Sequence, residues 1–284
     1  MSIEASLNVL LLAVVAGLGW TIRNYRRRMR YIQGRDMGWA IPESSLEDFS
    51  DAFARDALGP IPARSEVAFL GGGDGIEAST SDLEAYILAV LSRKASCMFE
   101  VGTCTGRTAY LWARNSATDA KVITLTLAPD QLDLYRAQAG DAEKATEGAL
   151  RESCHTQFIY SGTDVAHKVV QLFGDSAAFD ETPYLGQCDL VFVDGSHAYS
   201  YAKNDTEKAL RMLKPGGIIL WHDYNQLKGR ATIGVTKYLD ELAQTLPLVR
   251  LRRTSLVAYR APSQPVRISS GASRAGQDGA PLES

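Results

Sequence analysis

The chain is poor in the features that declare a function early. It has four cysteines, Cys97, Cys104, Cys154 and Cys188, and no two stand in a C-x-x-C pair. That argues against a zinc ribbon or a thioredoxin-like site. Cys97 and Cys188 each adjoin an apolar run, where a buried reduced thiol belongs, so a reducing compartment is expected. The sequence has no G-x-G-x-x-G and no glycine turn ending in Gly-Lys-Ser/Thr, which removes the dinucleotide fingerprint and the P-loop. It has no surplus of positive charge either. With 30 Lys+Arg against 33 Asp+Glu the net charge is −3, so the chain as a whole does not attract nucleic acid, and none is expected as a partner. No internal repeat is visible, and no basic segment precedes the apolar N-terminus as it would in a cleaved signal peptide.

That N-terminus is a strong feature. "SLNVLLLAVVAGLGWTIRNYRRRMR" runs apolar from Leu7 to Ile22, broken only by Asn8 and small residues. A spanning helix needs about 20 residues, with ~17 as a lower limit. Residues 1–30 are therefore expected to form a membrane-anchor helix with a basic flank, single-span or interfacial; the alternative is an amphipathic or buried helix packed on the domain. Arg23, Arg26, Arg27, Arg28 and Arg30 follow the run. They would keep the rest of the chain on the cytoplasmic side and would suit anionic lipid head groups. Trp20 and Tyr25 suit the interface. Residues 31–76 read as a linker or N-terminal extension with one short helix around Ser45 to Ala57, capped by Ser44 or Ser45. "LGGGDG" punctuates its end. Residues 262–284, rich in Ser, Gly, Ala and Pro, read as a disordered tail.

Residues 77–261 are regular, and at 45% apolar content the chain can bury a sizeable core. "SDLEAYILAVLSRKA" has helical spacing with Ser81 or Asp82 near its start. "CMFEVG", "KVITLTL", "HKVVQLFGDS", "CDLVFVDGSH" and "PGGIILWHDY" each hold a strand. "TQFIYSG" reads as a short strand or extended piece. "TAYLWARNSA", "DQLDLYRAQAGDAEKATEGAL", "SYAKNDTEKALRMLK" and "GVTKYLDELAQTL" read as helices, and "LVRLRRTSLVAYRA" as two closing strands. Strands alternating with helices predict an α/β, Rossmann-like open sheet. It is mostly parallel with an antiparallel closing strand, and helices cover both faces.

In such a sheet the ligand lies beyond the carboxyl ends of the strands. Those ends deliver Glu100, Gly102, Thr103 and Gly106; then Gly174, Asp175 and Ser176; then Asp194, Gly195, Ser196 and His197; then His222, Asp223 and Tyr224. A pyrophosphate at the first turn would want helix N–H groups and no carboxylate. Glu100 instead suits a ligand with an ammonium group, and Gly102 and Gly106 let the backbone come close. S-adenosylmethionine (SAM), with its amine, carboxylate and sulfonium, is such a ligand. His155 and His167 lie in polar surroundings and read as surface residues.

Taken in order, "EVGTCTGRTA", "GDSA", "CDLVFVDGSHAYSYAKND" and "ALRMLKPGGIILWHDY" resemble the class I SAM-dependent methyltransferases. The likeness is to the small-molecule O-methyltransferase branch with a D-G-S-H turn (Methyltransferase 24-like), from about Ser81 to Arg260. It implies that Glu100, Gly102, Thr103 and Gly106 hold the methionine end of SAM, that Asp175 and Ser176 sit by the adenine, and that Asp194 lies near the methyl group. It further implies a divalent ion, Mg²⁺ or another, on Asp194, His222 and Asp223, with His197 as general base and Asp194 beside it in catalysis. One position departs from the pattern. Thr126 stands where an acid usually binds the ribose hydroxyls, and the nearest acid is Asp130. Losing a charge-assisted hydrogen bond of about 1.5–3 kcal/mol weakens binding around tenfold or more. The "D/N-P-P-Y/F" motif of many amino-group methylating enzymes is absent. The expected partners are a small hydroxylated acceptor and the membrane, with a homo-oligomer left open. A non-catalytic scaffold on the same fold is the alternative, and an oxidoreductase on it ranks last.

Overall fold

The computed structural model describes residues 14–26, 29, 39–72, 80–225 and 231–263. The expected tail, from residue 264 onward, and the start of the apolar N-terminal run lie outside the described residues.

Among the described residues eight strands form one sheet. They are β1 (Glu43–Ser44), β4 (Cys97–Val101), β5 (Lys121–Thr126), β6 (Val169–Phe173), β7 (Cys188–Val193), β8 (Leu213–Trp221), β9 (Val249–Leu251) and β10 (Val257–Arg260). A separate hairpin pairs β2 (Arg55–Asp56) with β3 (Gly59–Pro60). The spatial order of the sheet is β1-β9-β10-β8-β7-β4-β5-β6. β4, β5, β6, β7 and β8 are parallel, and β10 runs antiparallel to both β8 and β9. The Rossmann-like, mostly parallel sheet is thus as expected. The chain winds outward from β4 through β5 to β6, then returns to β7 and winds the other way. The switch point lies between β4 and β7, the place where such sheets open a cleft.

Side-chain alternation builds two cores. Phe99, Val101, Val191 and Val193 face α7 (Tyr199–Met212) and α8 (Ile233–Leu242). Met98, Leu190 and Phe192 face α4 (Asp82–Ser92) and α5 (Arg107–Asn115). α4 begins with a capping box. The Glu84 N–H donates to Ser81 Oγ at 3.3 Å, and the Ser81 N–H donates to Glu84 Oε2 at 2.9 Å. That arrangement satisfies two end donors at once. Ser45 caps α2 (Leu46–Phe49), and α3 (Pro62–Ser65) follows the hairpin. This N-terminal stretch packs on the sheet: Ile41 and Phe53 are buried in the two cores.

Three expectations need correction. First, "TQFIYSG" is not a strand. It folds as turns over the glycine turn, and a Cβ on Gly106 would stand 2.8 Å from Tyr160 Cε1. Second, the long polar helix after β5 is broken. A 3₁₀ segment, Pro129–Leu134, precedes α6 (Glu143–Glu152), and Gly140 between them has a φ of +97°. Third, the spanning anchor is not supported. A helix (α1) runs over residues 14–26, and the earlier part of the apolar run, Leu7 to Ala13, lies outside the described residues. Among the described residues no helix is long and apolar enough to cross a membrane. The packed-helix alternative is not seen either, since Val14, Val15, Leu18, Trp20, Ile22 and Tyr25 are all exposed.

Candidate active site

The switch point between β4 and β7 is very tight. Gly102 has a φ of +96°, and a Cβ there would lie 2.0 Å from the Asp194 carbonyl oxygen. Only glycine lets the two strand ends meet this closely. Beyond them opens a cleft with about 500 Å³ of free volume, its mouth included.

Gly102, Thr126, Asp175, Ser176 and Asp194 line this cleft, as the sequence predicted of a cofactor site. Glu100, Thr103 and Gly106 do not. Alternation on β4 turns Glu100 to the face shared with Met98, beneath α5. There it is buried and accepts a hydrogen bond from Thr124 Oγ1 at 2.6 Å, while Thr103 Oγ1 lies 2.7 Å from the same hydroxyl. Burial, with the nearby Asp194 charge, pushes the Glu100 carboxyl up to about 8. Burial thus favours its uncharged form. The contact of its carboxylate with an ammonium group, expected from the sequence, has no counterpart among the cleft-lining residues. Gly106 serves packing as the left-handed N-cap of α5.

The sequence reading missed several parts of the wall. Tyr135 and Tyr201 stack with ring centroids 4.5 Å apart, and Tyr135 Oη lies 2.7 Å from Ser196 Oγ. Glu152, the last residue of α6, also lines the cleft. Thr126 is at the wall without an acid replacing it on β5; Asp130 lies in the 3₁₀ segment beyond and is not among the lining residues.

At one end of the cleft stand the ionisable groups. His197 Nε2 is 2.8 Å from Asp223 Oδ2. His222 Nδ1 is 3.0 Å from Asp194 Oδ1 and 3.4 Å from Asp223 Oδ2, and its Nε2 is 3.3 Å from Glu84 Oε2. Glu84 accepts further bonds at Oε1 from the Ser255 N–H and Oγ, at 2.7 and 2.8 Å. His222 therefore touches three carboxylates. Burial alone would lower its pKa, but Asp194 and Asp223 overrule burial and raise it well above the usual value. Burial would lift Glu84 too, yet His222, Ser255 and Ser81 hold it well below the usual carboxylate range. Asp223 is likewise held low by His222 and His197. For Asp194 burial wins, and its carboxyl is raised. For His197 the neighbouring Asp223, Asp194 and Glu152 outweigh burial, and its pKa is raised.

The sequence points to Asp194, His222 and Asp223 as metal ligands. The donor atoms that do converge, within 4.8 Å of one another, belong to Asp194, His197 and Asp223. Two carboxylates and an imidazole are a chemically suitable set for a divalent ion.

Comparison with known proteins bears on the same region. Residues 99–224 match the family described as "Methyltransferase domain". No curated protein sequence matches the chain significantly. Similar solved structures include the SAH-bound methyltransferase PaMTH1 of Podospora anserina. It is 18% identical, with 68% of this chain and 83% of that one covered, at a TM-score of 0.49. The O-methyltransferase TomG of Streptomyces achromogenes, in complex with SAM, is 18% identical, with 66% and 83% covered and a TM-score of 0.42. An O-methyltransferase of Bacillus cereus in complex with SAH is 16% identical, with 65% and 83% covered and a TM-score of 0.43. The matched family segment runs from β4 to the residues after β8 and contains both edges of the switch point. That segment, somewhat less than half of the chain, is similar to a methyltransferase domain.

Proposed function

We propose that the enzyme moves a methyl group from SAM to a hydroxyl of a small acceptor, with His197 as the general base. The observation that carries this reading is the His197–Asp223 pair, 2.8 Å apart and next to Asp194, which lines the cleft. Bound SAM would supply an electrophilic methyl on its sulfonium. Gly102, Thr126, Asp175 and Ser176 would hold it along the wall, with the stacked tyrosines closing one side. Asp223 fixes the His197 tautomer by accepting from Nε2–H, which leaves Nδ1 to take the acceptor's proton. Asp194 sits where positive charge approaches, and His222 keeps three carboxylates from repelling one another.

A second reading is favoured by the convergence of Asp194, His197 and Asp223. On it a divalent cation occupies those three groups and His197 is a ligand instead of a base. Chelation separates the two: EDTA leaves turnover intact on the first reading and abolishes it on the second.

The acceptor class follows from the resemblance of the motifs: a hydroxylated sugar, lipid head group or secondary metabolite. The test begins with calorimetry of SAH and SAM on the purified chain; no heat of binding at millimolar ligand sinks the proposal. With an acceptor in hand from a screen of hydroxylated compounds, His197→Ala lowers kcat by about 10²–10⁴-fold. SAH affinity stays near the parent value.

A further inference from the structure

The switch of Glu100 to the dry face of β4 leaves a question that its sequence position had seemed to answer. SAM carries an ammonium group at its methionine end, and a carboxylate on the cleft wall is the natural partner for it. Glu100 is not on that wall. Asp194 is, but its oxygen already faces His222 at 3.0 Å.

One other carboxylate stands at the same end of the cleft. Glu152 ends α6 and lines the cleft together with Gly102, Cys104 and Asp194. Among the described residues no hydrogen bond is made to its carboxylate. The C-terminal end of α6 adds the negative end of a helix dipole. It feels His197, Asp194 and Asp223, the ionisable groups beside the cleft. Burial and the two aspartates push its carboxyl up, against the opposing pull of His197 and Arg151.

We infer that Glu152 is the carboxylate that takes the ammonium group of SAM, in the role the sequence assigned to Glu100. It is contributed by the helix after β5 and so comes from outside the glycine turn. The inference rests on the SAM-binding reading above. An ammonium bound there neutralises Glu152 and gains from Asp194 at the same time, while the adenosine half of the cofactor never reaches it.

The test compares two ligands on two proteins by calorimetry. SAH carries the ammonium; 5′-methylthioadenosine has the same adenosine and thioether but no amino acid. Glu152→Gln is expected to weaken SAH by about tenfold or more, the usual loss of a charge-assisted bond. It is expected to leave methylthioadenosine unchanged, which also reports that the cleft is folded. Equal SAH affinity in parent and variant overturns the inference and leaves SAM binding standing. An equal loss for both ligands overturns it too, because Glu152 then grips the adenosine. If the parent chain binds neither ligand, the SAM reading itself falls, and this inference falls with it.

Discussion

A carboxyl group near the end of a sheet strand has two faces open to it, and Glu100 occupies the dry one. The consequence is a stability that depends on pH in an unusual direction. Its ordinary value is 4.5, and in the folded chain burial raises it to about 8. Between those values the folded state holds a proton that the unfolded state has lost, so stability falls as pH rises from 4.5 toward 8. Glu100→Gln keeps the shape and removes the titration. Urea unfolding at pH 5 and pH 8 should show the parent losing on the order of a few kcal/mol that the variant keeps. An equal pH dependence in the two proteins would contradict this. The strand itself was legible in "CMFEV", and period-2 alternation was sufficient to place Glu100 with Met98. The acid's proximity to the glycine turn made the opposite assignment attractive. Glu84 shows the other limit. Its place three residues after Ser81 announces a helix cap, but its contact with His222 spans 138 positions and no local pattern records it.

At the scale of elements, α4, β7, β8 and the β9–β10 turn meet at one side chain. His222 stands at the end of β8 and balances Glu84 from α4, Asp194 from the end of β7, and Asp223 beside it. Asp223 reaches this position with a φ of +60°, in the left-handed region that a short acid tolerates. Replacing His222 by leucine fills the volume and leaves three carboxylates facing one another. The expected cost is about 3–5 kcal/mol, the usual penalty for stripping the partner from a buried charge. A urea midpoint within error of the parent would show that the cluster does not need the imidazolium. The strand ends were read correctly as the rim of a cleft, because apolar strands ending in polar residues are a signal of local composition. Which residues on the rim meet depends on distances between elements, so no local pattern could set His222 among Glu84, Asp194 and Asp223.

For the molecule as a whole, the part of the chain before α4 divides in two. α1 is exposed and its apolar residues touch no described core. By contrast, Ile41 is buried, Phe53 is buried, and Trp39 lies with its ring 5.2 Å from Tyr224 and under Arg250 at 4.8 Å. A chain that starts at Trp39 should therefore keep the parent's SAH affinity and melting temperature. One that starts at Thr80 loses both buried anchors and the β1 pairing; each buried large side chain is worth about 2–5 kcal/mol. Melting curves of the two truncations check this, and equal curves would refute it.

The C-terminal hairpin has a consequence beyond closing the sheet. Ser255, in the turn between β9 and β10, holds Glu84 through both its N–H and its hydroxyl and also receives the Asp223 N–H at 3.3 Å. This hairpin, residues 249–260, thus acts as a keystone for groups that lie far earlier in the chain. A substitution at Ser255 would look, in any assay, like damage to the reacting centre, although the residue never reaches the cleft. Evolution of the chain's end and of its chemistry are consequently tied: drift in one has to be answered in the other.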